Sequence, residues 1–278
     1  MSINMETDSM RSTYPLVVDT VRTKGHLTSP RGEGTLELSG CLITLTNPYD
    51  ALPTGTNRRL NVNLAVAEFL HLVTGEDDPA LLIKVAPHYA NFVDPATGRL
   101  RGSYGRRIKG QMEDAVGKLR ADLLTRQATV TTWDPHLDQG AGEHDYPCVV
   151  AAGWQVVHGQ LDGFVEMRSN DVWLGLPGDM FAWTQLQLTV ARILCVQPGW
   201  YRHYARSLHL YARDEGKVDG LQPVAIEESF DWEPEFTGLN AVSWPDAVVR
   251  AKLLLRGITP SNPTAGEVAM RDRVAKFL

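Results

Sequence analysis

The stretch DYPCVVAAGWQVVHGQLDGFVEMRSNDVWLGLPGDMFAW, at residues 145–183, predicts the central part of the fold. It contains two runs, 148–157 and 160–169, that favour β-branched, aromatic or alternating residues, as strands do. His158 and Gly159 separate the runs and suit a tight turn, so the two strands should pair as a hairpin. After the turn GLPGD, apolar residues return at helical spacing and predict a long, largely buried helix.

Helices and further strands are predicted on both sides of this stretch. Apolar residues recur at helical spacing between 64 and 73 and between 112 and 123, which predicts two helices packed on something flat. The runs 127–133 and 205–213 have the composition of strands. The helix after the turn is expected to begin near Met180. Strands crowded in the middle of the chain, with helices on one side, predict an α+β fold.

Composition and charge limit the class of protein. The chain has 278 residues, 43% of them apolar, and neither repeats nor a low-complexity linker divide it, so we expect one domain over 1–278. The formal net charge of -6 argues against nucleic-acid binding and against an anionic membrane surface. The chain has no basic start followed by an apolar run, and no apolar run of about eighteen residues. We therefore expect a cytoplasmic protein that does not span a membrane.

Cys148 is the first candidate for chemistry. The other two cysteines, Cys41 and Cys195, complete an odd count without metal-like spacing, so neither a disulfide framework nor a metal site is expected. A thiolate is a strong nucleophile, although a lone cysteine at the start of an apolar strand is more often a core residue. The predicted hairpin would bring Arg168 near the sulfur from the neighbouring strand. Arg168 and Ser169 also suit a phosphate group, or alternatively mark an exposed strand end.

Several segments, in their order along the chain, resemble the thymidylate synthase superfamily. The central stretch has the family's PC pair with the active-site cysteine, followed by RSND and GLPGD where the family's nucleotide-binding segments read RS.D and GLP.N. Five other segments also match the family. SPRGEGTLELSG resembles its phosphate loop, VAEFLHLVTG resembles the helix with the catalytic glutamate, and LRGSYGRR resembles the tyrosine segment. TRQATVTTWDP resembles the double-arginine strand, and SLHLYARD resembles the sugar-binding strand. The resemblance implies a thymidylate synthase-like fold, with one large mixed β-sheet packed with helices.

The same resemblance implies roles for individual residues. Cys148 would attack C6 of a pyrimidine, while Glu68 and Tyr104 would assist proton transfers. Arg126 takes the first position of the double-arginine strand, which reaches the partner's phosphate in a homodimer, and Gln127 stands at the second. The small-molecule partners would be a nucleotide monophosphate and 5,10-methylenetetrahydrofolate, the one-carbon donor. The implied nucleotide-binding residues are Arg31, Arg126, Arg168, Ser169, Asp179, His209 and Tyr211, and the implied folate-binding residues are Asp171, Leu174 and Gly175.

Asp179 carries the prediction about the base. A thymidylate synthase has asparagine here, whose amide donates to the uracil carbonyl oxygen and accepts from the ring nitrogen. Cytosine reverses that pattern, because its exocyclic amine donates and its ring nitrogen accepts. A carboxyl group fits cytosine, since it accepts a hydrogen bond from the amine and shares a proton with the ring nitrogen. An ionised carboxylate would also repel the uracil oxygen. The cytidylate hydroxymethylases of the superfamily have aspartate here. Alternatively, Asp179 only caps the helix that is expected to begin near Met180.

Three functions are compatible with these residues. The favoured one is hydroxymethylation of C5 in CMP or dCMP, since no residue identifiable from sequence reads the 2′ position of the sugar. The second is methylation of dUMP by a divergent thymidylate synthase. The third is nucleotide binding by a homodimer that has lost turnover, because the segment HYANFVD lacks the tryptophans that stack on folate in the family.

Overall fold

The computed structural model describes residues 2–140, 145–224 and 236–278. In these residues, helices pack on one mixed sheet of eight strands, which confirms the predicted α+β fold. The strands are β1 (Asn4–Thr7), β2 (His26–Thr28), β3 (Thr35–Leu45), β4 (Thr129–Thr131), β5 (Val149–Val157), β6 (Gln160–Met167), β7 (Asn170–Asp171) and β8 (Gln197–Tyr211). The helices are α1 (Met10–Lys24), α2 (Val62–Thr74), α3 (Ala80–Val85), α4 (Tyr104–Ile108), α5 (Gln111–Ala121), α6 (Pro135–Asp138), α7 (Leu176–Leu194), α8 (Trp244–Leu255) and α9 (Ala265–Ala275).

The sheet combines parallel and antiparallel pairs in the order β1-β3-β8-β6-β5-β4. β1 runs parallel to β3 and β6 parallel to β8, whereas β3 with β8, β5 with β6 and β4 with β5 are antiparallel. The short strands β2 and β7 pair with β3 and β8. None of the helices in the described residues is long and apolar enough to cross a membrane.

The central hairpin forms as predicted. Val157 pairs with Gln160, and the two residues between them have positive φ angles, 50° at His158 and 81° at Gly159. Left-handed conformations at both positions characterise the tight turns whose twist matches that of a hairpin. The pairing brings the start of β5 beside the end of β6.

Helix α2 confirms the helical pattern predicted at 64–73. The Asn61 side chain accepts a hydrogen bond from the Leu64 amide and caps its first turn. Gly75, with a φ of 71°, ends the helix in the left-handed conformation. Its apolar side, with Phe69 and Leu70 fully buried, packs against α7 and α8.

Helix α7 begins four residues before the expected Met180. Pro177 lies in its first turn, where the missing amide proton of proline costs nothing, and Gly175 is the N-cap. The Asp179 amide donates to the Gly175 carbonyl within the helix. The alternative that Asp179 only caps the helix is therefore wrong.

Two strand predictions had the wrong bounds. β8 begins at Gln197, not at 205, because Tyr201 and His203 alternate inward with exposed neighbours and extend the strand. The run 127–133 shortens to Thr129–Thr131.

The close approach of α4 to α2 depends on Gly105. A Cβ atom there would overlap the carbonyl oxygen of His71 and lie 2.9 Å from the Leu72 Cα atom. We expect Gly105→Ala to lower the free energy of unfolding by about 1–3 kcal/mol, because backbone atoms would have to separate. Gly117→Ala on the exposed side of α5, where nothing lies within 4 Å of the added Cβ, should raise it by up to about 1 kcal/mol. Urea unfolding measures both, and equal midpoints for the two variants would contradict this account of the contact.

Candidate active site

Cys148 and Arg168 lie side by side at the open end of the hairpin. The Arg168 amide donates to the Cys148 carbonyl at 2.8 Å, and the guanidinium Nη2 lies 3.9 Å from Sγ. The guanidinium is held in place because it donates to the carbonyl oxygens of Pro147 (2.9 Å) and Tyr146 (3.1 Å). The strand pairing thus gives the thiol a fixed cation, as the sequence predicted.

The environment of Cys148 keeps its thiol protonated in the free protein. Burial raises the pKa of Cys148 to about 11, and ionised carboxyl groups at Asp179 and Asp145 would add to that increase. Arg168 opposes them and is the largest influence that lowers the pKa. A thiol in this state becomes nucleophilic only when its proton is removed in the complex.

We expect Cys148 to react slowly with iodoacetamide in the free protein. A thiol with a pKa near 11 has about a hundredfold less thiolate at pH 8 than an ordinary exposed thiol with a pKa of about 8.5. Cys195, which is exposed, is the internal reference, and buried Cys41 should not react. Peptide mapping by mass spectrometry measures the three rates. If Cys148 reacted fastest, its thiolate would already be stabilised without substrate.

Glu68 forms a hydrogen-bonded pair with Tyr89. The Tyr89 hydroxyl donates a hydrogen bond to Glu68 Oε1. Burial raises the pKa of Glu68 to about 7, although this hydrogen bond favours the ionised form. The other oxygen, Oε2, lies against the first turn of α7, where a Cβ on Gly178 would be only 2.8 Å away. Glu68 can therefore exchange a proton near neutral pH, as a general acid or base must.

Tyr104 stays protonated beside the thiol. It begins α4, and its hydroxyl interacts with the backbone amide of Val149, the residue after Cys148. Burial raises its pKa well above the usual range, and ionised forms of Asp179 and Cys148 would raise it further. A neutral hydroxyl in this position can hold a water molecule or donate a hydrogen bond.

Asp179 lies in the first turn of α7 and is held by Asn170. The Asn170 Nδ2 donates to Asp179 Oδ2 at 2.8 Å. Burial raises the pKa of Asp179 well above its usual range, and the neighbouring carboxyl of Glu68 raises it further. Asp179 therefore tends to be a neutral acid, which can both donate and accept a hydrogen bond. The sequence offered no reason to predict its contact with Asn170.

The residues expected to bind the phosphate and the sugar include Arg31, Ser169, His209 and Tyr211. Burial lowers the pKa of His209, and the charges of Arg31 and Arg168 lower it further, so all three share one electrostatic environment. Arg31 lies in the turn Pro30–Gly32 with a φ of 56° and is exposed. Ser169 follows Arg168 between β6 and β7, and the Tyr211 ring meets the His209 ring edge-on at 5.1 Å.

Arg213 is a residue of this region that the sequence did not single out. Its guanidinium lies 4.0 Å from the centre of the Tyr211 ring and donates to Glu33 at 2.6 Å. Glu33 follows the turn that contains Arg31. Arg213 therefore connects the end of β8 to the expected phosphate loop.

The three expected folate residues form one continuous turn before α7. Asp171 Oδ1 accepts hydrogen bonds from the amides of Trp173 (2.8 Å) and Leu174 (3.1 Å). Among the residues that the structure describes, no group donates to Asp171 Oδ2, and the Leu174 side chain is 53% exposed. One open carboxylate oxygen beside an apolar surface fits a folate ring. Gly175 has a further effect, because a Cβ there would lie 3.2 Å from the Asn170 Nδ2 and crowd its contact with Asp179.

Arg126 lies on the outer face of the sheet. It lines an open groove of about 590 Å³ together with side chains of the central strands, among them Glu166, Arg202 and Tyr204. In the residues that the structure describes, Arg126 takes no part in the contacts around Cys148. Within one chain, the structure thus brings together the other expected residues and leaves Arg126 apart.

The sequence is similar to those of known proteins. The family model described as thymidylate synthase matches residues 12–224. The deoxyuridylate hydroxymethyltransferase of Bacillus phage SP01 is 27% identical over 220 residues, which cover 73% of this chain and 57% of the phage protein. Thymidylate synthase 1/2 of Encephalitozoon cuniculi is 26% identical over 65% of this chain and 70% of its own length. A thymidylate synthase of Bacillus licheniformis is 31% identical over half of each chain, 50% in both cases.

The chain thus spans little more than half the length of the phage relative, 57% of it. The matched residues 12–224 include all the expected catalytic and nucleotide-binding side chains. They also make up most of the 278 residues. The chain therefore belongs to the thymidylate synthase family.

Proposed function

We propose that this protein transfers a hydroxymethyl group to C5 of a cytidylate, CMP or dCMP, with 5,10-methylenetetrahydrofolate as one-carbon donor. The observation that supports this most is the carboxyl group of Asp179, whose neutral form burial favours, at the position where the family's uracil enzymes have an amide. A neutral carboxyl accepts from the exocyclic amine of cytosine with one oxygen and donates to its ring nitrogen with the other.

The side chains around the thiol suit the first step of such a reaction. Cys148 Sγ would form a bond to C6, which makes C5 nucleophilic, and Arg168 at 3.9 Å would stabilise the thiolate that attacks. Folate, when bound, supplies a carbon at the oxidation level of formaldehyde. Tyr104 would hold the water that removes the C5 proton, and Glu68 would exchange protons at the base because its pKa is near 7.

The proposal is tested by incubating the protein separately with CMP, dCMP, UMP and dUMP, each with methylenetetrahydrofolate. Mass analysis distinguishes a gain of CH2O, which leaves tetrahydrofolate, from a gain of CH2, which leaves dihydrofolate. We expect a gain of CH2O on a cytidylate alone, and the better substrate identifies the sugar. The Cys148→Ala variant is the control for enzyme-dependent product.

A second candidate is hydroxymethylation of deoxyuridylate. Two relatives, from Bacillus phage SP01 and Pseudomonas phage M6, are named deoxyuridylate hydroxymethyltransferases and are 27% and 26% identical to this chain. A gain of CH2O on dUMP alone would support it and overturn the cytidylate proposal. A gain of CH2 on dUMP would instead indicate thymidylate synthesis, and nucleotide binding without product would indicate a binding protein.

We also propose that the protein is a homodimer in which Arg126 completes the partner's phosphate site. The groove that contains Arg126 lies on the face of the sheet and is lined largely by apolar side chains, among them the partly exposed Leu42 and Phe164. A second copy covering this face would bury these two further. Arg126 would then be placed at the interface.

A further inference from the structure

We propose that three buried side chains, Tyr201, His203 and Asn170, form a hydrogen-bond chain that decides which oxygen of Asp179 carries its proton. The chain would thereby make the carboxyl group complementary to one pyrimidine and not to the other. The inference rests on the proposed function only in assigning Asp179 to the base. All three side chains are positioning residues, since Asp179 alone would touch the nucleotide.

The chain is continuous and inaccessible to solvent. The Tyr201 hydroxyl lies 3.0 Å from His203 Nδ1, and His203 Nε2 lies 3.0 Å from Asn170 Oδ1. Asn170 Nδ2 then lies 2.8 Å from Asp179 Oδ2. Tyr201, His203 and Asn170 are each no more than 2% exposed. Water therefore cannot replace the bonds among these three side chains, and the donors of Tyr201 and His203 must find their acceptors within the chain.

The direction of the bonds follows from the chemistry of the groups. The amide of Asn170 has one end that donates and one that accepts. Because Nδ2 faces Asp179, Oδ1 faces His203 and can only accept, so His203 Nε2 carries a proton. Burial lowers the pKa of His203 to about 3, so the imidazole is neutral and its Nδ1 has no proton. Nδ1 therefore accepts, and the Tyr201 hydroxyl donates.

This direction makes the two oxygens of Asp179 unequal. Oδ2 receives an N–H bond, and the carbonyl oxygen of a carboxylic acid accepts better than its hydroxyl oxygen, so the proton is favoured on Oδ1. Without Asn170, a neutral carboxyl could place its proton on either oxygen and match either base. With Oδ2 towards the exocyclic amine and Oδ1 towards the ring nitrogen, the fixed arrangement fits cytosine and opposes uracil.

The other ionisable groups near Asp179 do not replace this effect. Burial and the carboxyl groups of Glu68 and Asp171 raise the pKa of Asp179, so they favour protonation without selecting an oxygen. The absence of a side chain at Gly175 permits the contact, since a Cβ there would lie 3.2 Å from Asn170 Nδ2 and 3.3 Å from Asp179 Oδ2.

The first test reads the direction of the chain in the free protein and needs no nucleotide. Long-range 15N–1H correlation spectra of histidine-labelled protein identify the tautomer of each neutral imidazole, and a His203→Gln spectrum assigns the signal. We expect His203 as the Nε2–H tautomer at pH 7. The Nδ1–H tautomer would mean that the chain runs the other way, and an imidazolium would mean that it is broken; either result overturns the inference.

The second test measures base selectivity, as the ratio of the dissociation constants for UMP and CMP. We expect Asn170→Leu to bring this ratio about tenfold closer to one. The main cause should be tighter binding of the nucleotide that the wild-type protein binds more weakly. Tyr201→Phe, which leaves the fold nearly unchanged, should shift the ratio in the same direction by less. Tyr211→Phe on the same strand is the matched control and should weaken the binding of UMP and CMP equally. If the Asn170 and Tyr201 variants also weakened the binding of both nucleotides equally, the role of the chain would be merely structural and the inference would be overturned.

These tests separate the inference from the proposed function. If the wild-type protein preferred UMP and Asn170→Leu removed that preference, the cytidylate proposal would fail while the chain still governed selectivity. If it preferred CMP and both variants kept the full preference, the chain would have no such role while the proposed function would stand.

Discussion

Asp179→Asn is expected to reverse the base preference, from cytidylate to uridylate. The amide would present N–H groups to the carbonyl oxygen of uracil and its own oxygen to the ring N–H, so the two polar contacts that fit cytosine would instead fit uracil. An unpaired buried polar group costs about 1–3 kcal/mol, so the ratio of kcat/KM values for the two bases should change by a hundredfold or more. Competition between CMP and UMP in one reaction measures this ratio directly.

The reversal also involves Asn170. In the variant, the new amide nitrogen would meet the Nδ2 of Asn170, which donates to Oδ2 at 2.8 Å in the wild-type protein. The Asn170 amide must then turn over, and His203 must change to the other neutral tautomer. Because two amide N–H groups cannot bond to each other, we expect the whole chain to reverse in this variant when uridylate binds, with a matching change in the His203 nitrogen signals.

Asp171→Asn is the matched control for this prediction. It makes the same chemical change eight residues earlier on the chain, but Asp171 Oδ1 faces the amides of Trp173 and Leu174. Base selectivity should be unchanged in it, although binding of the one-carbon donor should weaken. If Asp179→Asn kept the wild-type preference for cytidylate, a group other than this carboxyl would read the base.

The parts of the site that local sequence predicts are those set by strand pairing. A two-residue turn at His158 and Gly159 fixes the register over most of β5 and β6, and an irregularity between Val149 and Ala151 then shifts it by one residue, so that Arg168 comes to Cys148. Turn chemistry and alternation predict the hairpin, whereas this shift in register was not predicted. The start of α7 was predicted four residues too late, near Met180, although Pro177 is typical of a first helical turn.

The hydrogen-bond chain behind Asp179 could not be predicted in this way. It joins Asn170 on β7 to His203 and Tyr201 on β8, but β7 pairs with a later part of β8, where Asn170 lies opposite Leu208, so the strand register does not relate these side chains. The strand was predicted to begin at residue 205, so Tyr201 and His203 fell outside it. The pairing of Tyr89 with Glu68 is likewise a contact between separate elements, whose side chains no periodicity relates.

The largest effect expected at the proposed dimer interface is recovery of activity from two inactive variants. Cys148→Ala removes the nucleophile, and Arg126→Glu places a carboxylate at the partner's phosphate, so each homodimer should lose activity at least a hundredfold. A mixed dimer contains one site with both changes and one site with neither. When the two chains are co-expressed with different tags and the mixed dimer is isolated, it should regain about half of the wild-type activity.

The control for this experiment uses Arg168, which lies beside Cys148 in the same chain. A mixed dimer of Cys148→Ala with Arg168→Glu has one change in each of its sites and should stay inactive. The contrast between the two mixed dimers therefore reports which subunit supplies each arginine, independently of how strongly either arginine binds phosphate. If both mixed dimers stayed inactive, Arg126 would not act across the interface, and a monomer by light scattering would remove the interface itself. Recovery of activity in the mixed dimer with Arg126→Glu, but not in the one with Arg168→Glu, would identify the surface through which one subunit completes the other. That surface would be the outer face of the sheet, where the groove with Arg126 lies.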